Sequence, residues 1–515
     1  MKISQTDFIK SKTSTTHLQG QSNSIDTSRA NRHAIACAFI ALVLFAIASQ
    51  ITGRIPVAQG AGFDGSTYLR YVQTIATESL VDAGPYHLSR MVGFLPAILA
   101  ALAGLQGQGL LLFQSILNSI LLAISLGIFL RLLLDWGLSK RSAWIATTCL
   151  GLSWSWLIMP VFYPMLSDHT ALVVSVLSMW AWNRNKLKLL AILAFTSVWI
   201  MPGLLLVPLL LACVPLGANS AVEEKANMRP VFRWGLRILI SIPFIAVCFI
   251  ALHIEVAEIA AHPRGFNVAW LSLKYVSMAY IFLSVAVIWF AWTKLLTQRW
   301  FWSKLSLQGM IFTVGASAVS LFLLAFVLDW SRGYRGPPLL HFILMQSLAA
   351  PFKPLVAHFL YFGPALPLAI ASALRWSIAL PDSKLDPHLG LVVVILAFLP
   401  FLLIGSESRQ WIAVFPVCVA WLALRLRSEW RLLPIALTTV IMLVPVADLK
   451  PSLEQAVASQ LPISHPAWQV FFGKIGPWMS RESYSNGLIV LSLFTLMLFT
   501  VNISQHISSH VRKST

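Results

Sequence analysis

Apolar residues in this chain come in blocks of about 14 to 27 positions, separated by short segments that carry most of the charges. About 20 residues of helix cross the ~30 Å hydrocarbon layer of a bilayer, and a crossing segment must satisfy its backbone hydrogen bonds internally. The short alternating strands of a membrane barrel are absent from these blocks. The pattern therefore predicts an all-α, polytopic transmembrane protein.

Most of the blocks can be assigned to single spans by their length. The candidate spans are 34–52, 143–161, 169–182, 235–253, 271–293, 309–329, 356–374, 389–405, 411–424, 432–447 and 486–502. Two longer apolar stretches, 91–131 and 189–213, are ambiguous. The segments 169–182 and 411–424 are short for a crossing, so that tilt, bilayer thinning or a paired neighbour is needed to complete them.

Composition supports a membrane protein. Of the 515 residues, 57% are hydrophobic and 11% are charged, and the mean hydropathy is +0.76. A soluble chain of ordinary composition is much less apolar.

The distribution of Lys and Arg predicts the orientation, because cytoplasmic loops carry their excess. If the N-terminus is cytoplasmic and sides alternate, 25 of the 37 Lys and Arg lie inside. Both termini are then cytoplasmic. The pI of about 10.0 reflects this topology and contact with anionic membrane lipids, and we predict no nucleic-acid partner.

The same rule constrains the ambiguous stretches. Residues 91–131 must cross an odd number of times, so we expect one crossing at about 109–131, with 91–106 interfacial or re-entrant. Residues 189–213 must cross an even number of times, and Pro202-Gly203 is a suitable break between two half-helices. The expected total is about 12 to 14 spans.

The chain ends and the remaining motifs add little chemistry. Residues 1–33 are polar and predict a disordered cytoplasmic tail, 34–502 form the transmembrane domain, and 503–515 form a second cytoplasmic tail. The five cysteines fall within or at the ends of apolar spans and indicate neither disulfides nor a zinc site. No Walker A or dinucleotide-binding motif occurs.

The predicted outer loop 53–90 is long and contains an Asp-Gly pair at 64–65. From Tyr68 to Leu80 the pattern is that of an amphipathic surface helix, which holds Asp64 at the boundary between water and lipid. Tyr86, His87 and Arg90 follow, and then an apolar stretch containing Pro96.

This arrangement resembles the GT-C superfamily of polytopic glycosyltransferases, in its bacterial form. It rests on Asp64 in an Asp-Gly-x-x-Tyr setting, the surface helix, Arg90 and the Pro-bearing apolar run, together with Gly405-Ser406-Glu407-Ser408-Arg409 before a later span. The resemblance implies an enzyme that transfers a sugar from a polyprenyl-phosphate carrier to a glycan, lipid or protein acceptor outside the cytoplasm, in the bacterial inner membrane.

The resemblance also implies roles for particular residues. Asp64 corresponds to the catalytic acid of the first outer loop, and Asp168 to the acidic residue of the next outer segment, 161–168. The residues expected at the substrate-binding site are Tyr68, His87, Arg90, Arg332, Arg335, His341, Glu407 and Arg409. Two family features are missing, namely a paired acidic motif after the first span and a large soluble C-terminal domain.

Physical reasoning leaves alternatives open at the two aspartates. Asp64 has the right chemistry to take the proton of an acceptor hydroxyl, but Asp64-Gly65 equally suits a turn or a helix cap. Asp168 equally suits a cap of the following span. Glu407 and Arg409 form either a simple ion pair at a helix end or part of the donor site. No cofactor is predicted, although a divalent cation near Asp64 and Asp168 is compatible with the pattern.

Two further outer segments carry polar residues. In 329–355, Arg332 and Arg335 can present forked donors to a phosphate, with snorkelling to the interface as the alternative, and His341 lies nearby. The segment 448–485 forms either part of an acceptor site or a surface cap.

Two other classes of protein compete with the transferase. A transporter or flippase of lipid-linked or small-molecule substrates would place ionisable residues near the middle of its spans, and here the acids lie in loops or at span ends. A non-enzymatic membrane scaffold has no particular need of a long outer loop with a surface helix.

Overall fold

The computed structural model describes residues 14–75, 85–216, 229–261, 271–327, 339–379 and 388–514. Over these ranges the chain is helical, and no strand occurs in them. The prediction of an all-α protein is confirmed.

Seven helical segments in the described ranges are long and apolar enough to cross a membrane. They are Thr27–Thr52, Gly107–Asp135, Pro230–His253, Leu271–Leu296, Leu307–Val327, Ser408–Leu426 and Glu429–Ala458. Two bent pairs raise the number to nine if each is one span. These pairs are Lys140–Gly151 with Trp154–Phe162, bent by 65°, and Leu339–Leu348 with Lys353–Phe362, bent by 93°.

The sequence predicts 12 to 14 spans, whereas at most nine are counted in the described ranges. Shorter apolar helices, which are not included in that count, correspond to several of the remaining predicted spans. They are Met91–Leu102, Leu187–Ser197, Pro202–Cys213, Ala365–Ala379 and Leu389–Ile404. At 1.5 Å per residue a helix of 16 residues is about 24 Å long, less than the hydrocarbon thickness. The architecture is a multi-pass helical membrane protein, and the higher count stays a prediction.

The surface of the bundle is apolar where lipid is expected. Phe232 and Ile245 on the helix Pro230–His253 are largely exposed, as is Phe326 on Leu307–Val327. Large apolar side chains covering whole helix faces would be unfavourable in water, and a bilayer accommodates them.

Glycine lets several helices approach closely. A Cβ on Gly127 would lie 2.5 Å from the carbonyl oxygen of Ala34, and one on Gly309 would lie 2.0 Å from that of Ala212. Small residues at such crossings are typical of membrane helices, where packing rather than hydrophobic exclusion holds helices together.

Both ambiguous stretches are broken into helices at about the predicted positions, and the number of times that each crosses the membrane stays a prediction. A single helix, Gly107–Asp135, follows the short helix Leu95–Leu102. The second stretch is broken between Leu187–Ser197 and Leu206–Cys213, with a 3-10 turn beginning at Pro202.

The terminal helices extend into the predicted tails. The first helix spans Ser14–Thr52, and the last spans Arg481–Ser514. Arg131 donates a hydrogen bond to the carbonyl of Thr27 at 2.8 Å, which ties the first helix to its neighbour before the apolar block begins. Helix therefore occupies parts of 1–33 and 503–515.

The helix of the first outer loop begins earlier than expected. It spans Phe63–Thr74, whereas the apolar pattern indicated Tyr68 to Leu80, of which 76–80 lie outside the described residues. Its buried side contains Gly65, Tyr68, Tyr71 and Val72. The predicted apolar side followed Leu69 and Val72, but packing against Phe94 and Ala97 turns the tyrosines inward.

Short helices occupy most of the predicted outer segment 448–485. The segment 448–485 contains Leu449–Ala458, Pro466–Phe472 and the 3-10 turn Gly476–Trp478. The predicted segment 161–168 ends at Asp168, which is the first residue of the helix Asp168–Asn183.

Candidate functional site

Three charged side chains from distant parts of the sequence meet at one point. The Arg409 Nε lies 2.9 Å from the Asp168 Oδ2, and the Arg409 Nη1 lies 3.6 Å from the Asp64 Oδ2. The exposed fraction of the side chain is 45% for Asp64, 14% for Arg409 and 1% for Asp168. One carboxylate is thus available to a ligand, and the other is buried against the guanidinium.

Both aspartates lie in the first turn of a helix. Asp64 lies two positions after Gly62, the N-cap residue of its helix, and Asp168 directly follows Ser167, also an N-cap residue. The N-cap positions are occupied by Gly62 and Ser167, so neither aspartate is the N-cap residue of its helix. Their negative charges are still favoured by the positive end of the helix dipole.

Arg409 enters the site from the turn between two helices. The helix Leu389–Ile404 ends before Gly405, and the 3-10 helix Ser408–Val414 follows. Among the described carboxylates, those of Asp64 and Asp168 lie within ion-pair distance of Arg409 and that of Glu407 does not. The alternative of a local pair between Glu407 and Arg409 is therefore wrong.

Tyr163 joins the helix of Asp64 to the rest of the site. Its hydroxyl accepts a hydrogen bond from the backbone N–H of Gly65 at 3.2 Å. A Cβ on Gly62 would lie 2.3 Å from the Tyr163 ring, and one on Gly65 would lie 2.8 Å from it. The Arg409 guanidinium carbon is 5.8 Å from the centre of the same ring. Tyr163 therefore packs against the helix that carries Asp64 and also lies near the Arg409 guanidinium.

Polar contacts fix the backbone of Tyr163 and of the residue that follows it. The His169 Nε2 is 3.0 Å from the Tyr163 carbonyl oxygen, and Asn118 donates to the carbonyl of Pro164 at 3.0 Å. These bonds fix a short buried segment whose carbonyls would otherwise lack partners.

Arg90 is the second buried guanidinium of the region. It is 3% exposed, donates to the Gln410 side chain at 2.9 Å and lies 4.3 Å from the centre of the Tyr86 ring. No carboxylate of the described residues is within ion-pair distance of it, and its buried Nε has no hydrogen-bond partner there. A buried cation without a paired anion is suited to bind an anionic group.

Tyr68 and His87 line the same region as neighbours. Their ring centres are 5.2 Å apart, and Tyr68 also packs against Phe94 at 4.9 Å. Burial lowers the pKa of His87, an effect that the nearby Asp64 opposes. Burial also raises the pKa of Tyr68 above its ordinary value.

Four of the predicted residues lie outside this group of ion pairs or outside the described residues. His341 pairs with Glu258, a residue that the sequence did not single out. Arg332 and Arg335 lie outside the described residues. Glu407 is close enough to Tyr86 to raise the pKa of its hydroxyl, although burial of Tyr86 is the larger cause.

The residues that sequence reasoning missed are Tyr163, Gln410 and Tyr361. Each acts through partners distant in the chain: Gln410 through Arg90, and Tyr361 through its electrostatic interaction with Asp168 and Arg409. Gln410 directly follows the motif at 405–409, which could have indicated it. No local sequence pattern indicates a role for Tyr361.

A metal site is not evident in the described ranges. There, no group of three or more His, Cys, Asp or Glu side chains is arranged to hold an ion. The guanidinium of Arg409 already supplies a positive charge between Asp64 and Asp168. A divalent cation near these two residues stays a prediction.

Comparisons with known proteins add no relative. No family model, no curated protein and no solved structure matches this chain.

Proposed function

We propose that this protein is an integral membrane glycosyltransferase of the GT-C type, which moves a sugar from a polyprenyl-phosphate carrier to a glycan, lipid or protein acceptor. The observation that carries the proposal is the half-exposed Asp64 held beside the buried pair of Asp168 and Arg409. The proposed location is a bacterial inner membrane, with both termini cytoplasmic and the site on the opposite side.

Asp64 is the proposed general base. Its carboxylate takes the proton of an acceptor hydroxyl while that oxygen forms a bond to the anomeric carbon of the donor sugar. The bond between the anomeric carbon and the phosphate oxygen breaks with inversion, and the polyprenyl phosphate leaves with the bonding electrons. Exposure favours Asp64 over Asp168 for this role, because a base must reach the acceptor.

Asp168 has a different proposed role. Its carboxylate is buried and already binds Arg409, so we assign it to positioning the guanidinium rather than to proton transfer. Arg409 in turn limits the freedom of Asp64, which favours one reacting geometry.

Arg90 is the proposed ligand of the departing phosphate. Its unpaired positive charge lies in the same region as Asp64, and developing negative charge on a leaving group is stabilised most where water is scarce. Arg332 and Arg335 remain predicted contributors to the same phosphate site.

A transporter or flippase is the alternative function. The charged residues described above favour the enzyme because they converge at the starts of helices rather than forming a series across the bilayer. A transporter would move a lipid-linked sugar without consuming it, so the formation of a glycosidic product discriminates between the two functions.

The test uses Asp64→Asn in membranes where protein abundance has been measured. The assay is transfer of sugar from a polyprenyl-phosphate donor to the native glycan or lipid acceptor. We expect normal abundance and a loss of about 10²- to 10⁴-fold in rate, because an amide cannot accept the proton. Asp64→Glu should also be poorly active, since one added methylene displaces the carboxylate by about 1 Å.

Glu429→Gln is a matched control, because Glu429 is also partly exposed, pairs with an arginine, Arg141, at 3.8 Å and lies outside the predicted outer segments. It should keep full activity. Full activity of Asp64→Asn would remove Asp64 as the base and leave the transferase proposal without its main support.

A further inference from the structure

A cavity of about 220 Å³ lies between the first helix, Thr27–Thr52, and the bent pair of helices Lys140–Gly151 and Trp154–Phe162. Leu126, from a third helix, lines a further side of it. Ile40 lines the cavity and is 48% exposed, so the cavity opens to the apolar surface of the bundle. It is therefore accessible from the surrounding bilayer.

The bend of one wall explains why the helices do not close over this space. The pair is bent by 65°, and a π-helical segment, Trp154–Ile158, follows the break. Gly151 and Leu152 line the cavity before the break, and Trp156 and Leu157 line it after the break. A sharply bent helix cannot keep close contact with its neighbour along its whole length, so a gap remains where the direction changes. In a bilayer, hydrocarbon is the material that can fill such a gap.

The wall of the cavity suits a hydrocarbon chain. Its two threonines, Thr147 and Thr148, donate to the carbonyls of Ala143 and Trp144 at 2.8 and 3.0 Å, so these hydroxyls need no partner from a ligand. The volume equals that of only about 3 Å of a helix about 10 Å across, so a helical partner would not fit. A chain of methylene groups is narrow enough, and an apolar wall favours it. The residues that the first helix contributes to this wall are Cys37, Ile40, Ala41, Leu44 and Phe45.

Positive charge surrounds one end of the cavity. Trp144 lines the cavity, and the centre of its ring is 6.4 Å from that of His33 on the first helix. One helical turn before these two residues lie Lys140 and Arg29, both exposed. Residues four positions apart share a helix face, so Lys140 lies on the side of Trp144 and Arg29 on the side of His33. We call Arg29 and Lys140 the mouth cations.

The acids near this end are paired with other cations. Asp135 pairs with Arg131 at 2.9 Å, and Glu429 pairs with Arg141 at 3.8 Å. The Arg141 side chain is still 83% exposed and adds a third positive charge beside Lys140. Within the described part of the chain, no carboxylate lies within ion-pair distance of either mouth cation. This end of the cavity therefore attracts an anion.

The distance between the charges and the cavity matches one leaflet of a bilayer. From Arg29 to Ile40 (40 − 29) and from Lys140 to Gly151 (151 − 140), the chain advances by 11 residues of helix, which is about 16 Å. One leaflet contributes about 15 Å to the ~30 Å hydrocarbon layer. A lipid whose phosphate lies at the mouth cations can thus place an acyl chain in the cavity.

We infer that the cavity and the mouth cations form a binding site for one anionic phospholipid. Its phosphate binds Arg29 and Lys140, and one of its acyl chains occupies the cavity. Basic pockets between membrane helices bind lipid headgroups through the same combination of charge and apolar surface. The mouth lies at the start of the first helix, whereas Asp64 follows its end, so the site is separate from the donor site proposed above. The inference does not depend on the transferase function.

The first test compares two phospholipids with identical acyl chains, phosphatidylglycerol and phosphatidylcholine. The purified full-length protein is titrated with each in the same detergent, and bound lipid is counted by native mass spectrometry. Phosphatidylglycerol should bind more tightly, with one copy per protein at low lipid concentration.

A charge variant tests the headgroup site. Lys140→Gln should weaken binding of phosphatidylglycerol by about 5-fold, which is the contribution expected of one cation near a lipid phosphate, and should change binding of phosphatidylcholine much less. Lys188→Gln is the matched control. Lys188 is another exposed lysine of the predicted cytoplasmic side, and it does not line the cavity, so this variant should bind both lipids like the wild type.

A second variant tests the cavity. Thr148→Phe adds a ring to the wall and should weaken binding of both phospholipids, by about 4-fold for each methylene group that it excludes. Thr196→Phe is the matched control, because Thr196 is also partly buried, donates to the Ile192 carbonyl at 3.0 Å and does not line the cavity. It should bind both lipids like the wild type. Melting temperatures show whether both variants fold, and the Lys140 comparison decides if Thr148→Phe does not.

Three results would overturn the inference. The first is equal affinity of the wild-type protein for the two phospholipids, or equal effects of Lys140→Gln and Lys188→Gln. The second is wild-type binding in a folded Thr148→Phe variant, which would exclude the acyl chain from the cavity. The third is tighter binding of undecaprenyl phosphate than of phosphatidylglycerol, lost in Thr148→Phe, which would assign the cavity to the tail of the sugar carrier.

Discussion

Arg409 binds two carboxylates that differ greatly in exposure, and this difference separates their roles. Asp168 is enclosed, and its partner is as close as a good hydrogen bond allows. Asp64 is at a longer distance and open to solvent or ligand. A guanidinium has a planar fork of donors, so one arginine can hold a structural partner on one edge while facing a reactive partner on another.

The two aspartates should therefore respond differently to neutralisation. Asp168→Asn leaves a mostly buried guanidinium without its principal counter-charge, and removing one partner of a buried pair typically costs about 3 to 5 kcal/mol. We expect a marked fall in melting temperature and in abundance. Asp64→Asn should unfold at nearly the wild-type temperature, because an exposed pair contributes about 1 kcal/mol or less.

The measurement is thermal unfolding of both purified variants in the same detergent. Equal destabilisation would show that Asp64 is also a structural residue, and its assignment as the base would lose its physical basis. Arg409→Lys offers a further comparison, since a point charge cannot engage both carboxylates with the same geometry.

At this scale the resemblance to the GT-C superfamily was informative. It predicted Asp64, Asp168, Arg90 and Arg409 as site residues, and the structure brings them into one region. Their partners were not predictable, because Arg409 is 241 residues from Asp168 in the chain. Neither spacing nor periodicity reports a contact of that range.

The helix Phe63–Thr74 is the element on which the position of Asp64 depends. Gly62 precedes it with a φ of +79°, a conformation that favours glycine, and Gly65 lies on the side that faces Tyr163. From the sequence, the amphipathic pattern placed the start of the helix at Tyr68, after the Asp64-Gly65 pair. Close packing against Tyr163 makes glycine necessary there, which local propensity does not reveal.

A methyl group at Gly65 should displace this helix. In Gly65→Ala the new Cβ would lie 2.8 Å from the Tyr163 ring and 3.1 Å from the Met165 carbonyl oxygen, so the helix or the ring must move. We expect transfer activity to fall by about 10-fold or more, because a shift of 1 Å at a reacting group is enough for 10²-fold. The assay is the transfer reaction, normalised to protein abundance.

Gly315→Ala is the control for this substitution. Gly315 lies within the helix Leu307–Val327 and has open space where a Cβ would be added, so alanine should be neutral or slightly stabilising. Tyr163→Phe tests the contact from the other side, since it removes the acceptor of the Gly65 N–H and keeps the ring. Wild-type kinetics in both Gly65→Ala and Tyr163→Phe would show that this contact does not position Asp64.

For the whole molecule, the pattern of apolar blocks predicted the class of fold because the bilayer imposes its length scale on every span. It could not decide the number of crossings, since helices of 10 to 17 residues are compatible with spanning, re-entrant and buried positions. The bent pair Leu339–Leu348 and Lys353–Phe362 illustrates the difficulty: its apolar residues form two helices at 93° rather than one straight span.

The orientation of the molecule can be tested with single cysteines in a cysteine-free background. We predict that an impermeant maleimide labels Ser459→Cys in intact cells, because the site-bearing side is extracytoplasmic. Ser303→Cys should be labelled only after the cells are opened. Both serines are exposed in the structure, so lack of labelling would not result from burial. The reverse pattern would place the site in the cytoplasm and exclude the proposed topology.

The order in which the ribosome makes this chain gives the ion pair a further consequence. Asp64 and Asp168 are synthesised and inserted long before Arg409, so that about 240 residues of nascent chain are added while Asp168 has no guanidinium to neutralise it. A chain that stops before residue 409 holds Asp168 without its guanidinium partner. Because a buried charge without its counter-charge is unfavourable, the packing around Asp168 becomes stable only after Arg409 has been inserted.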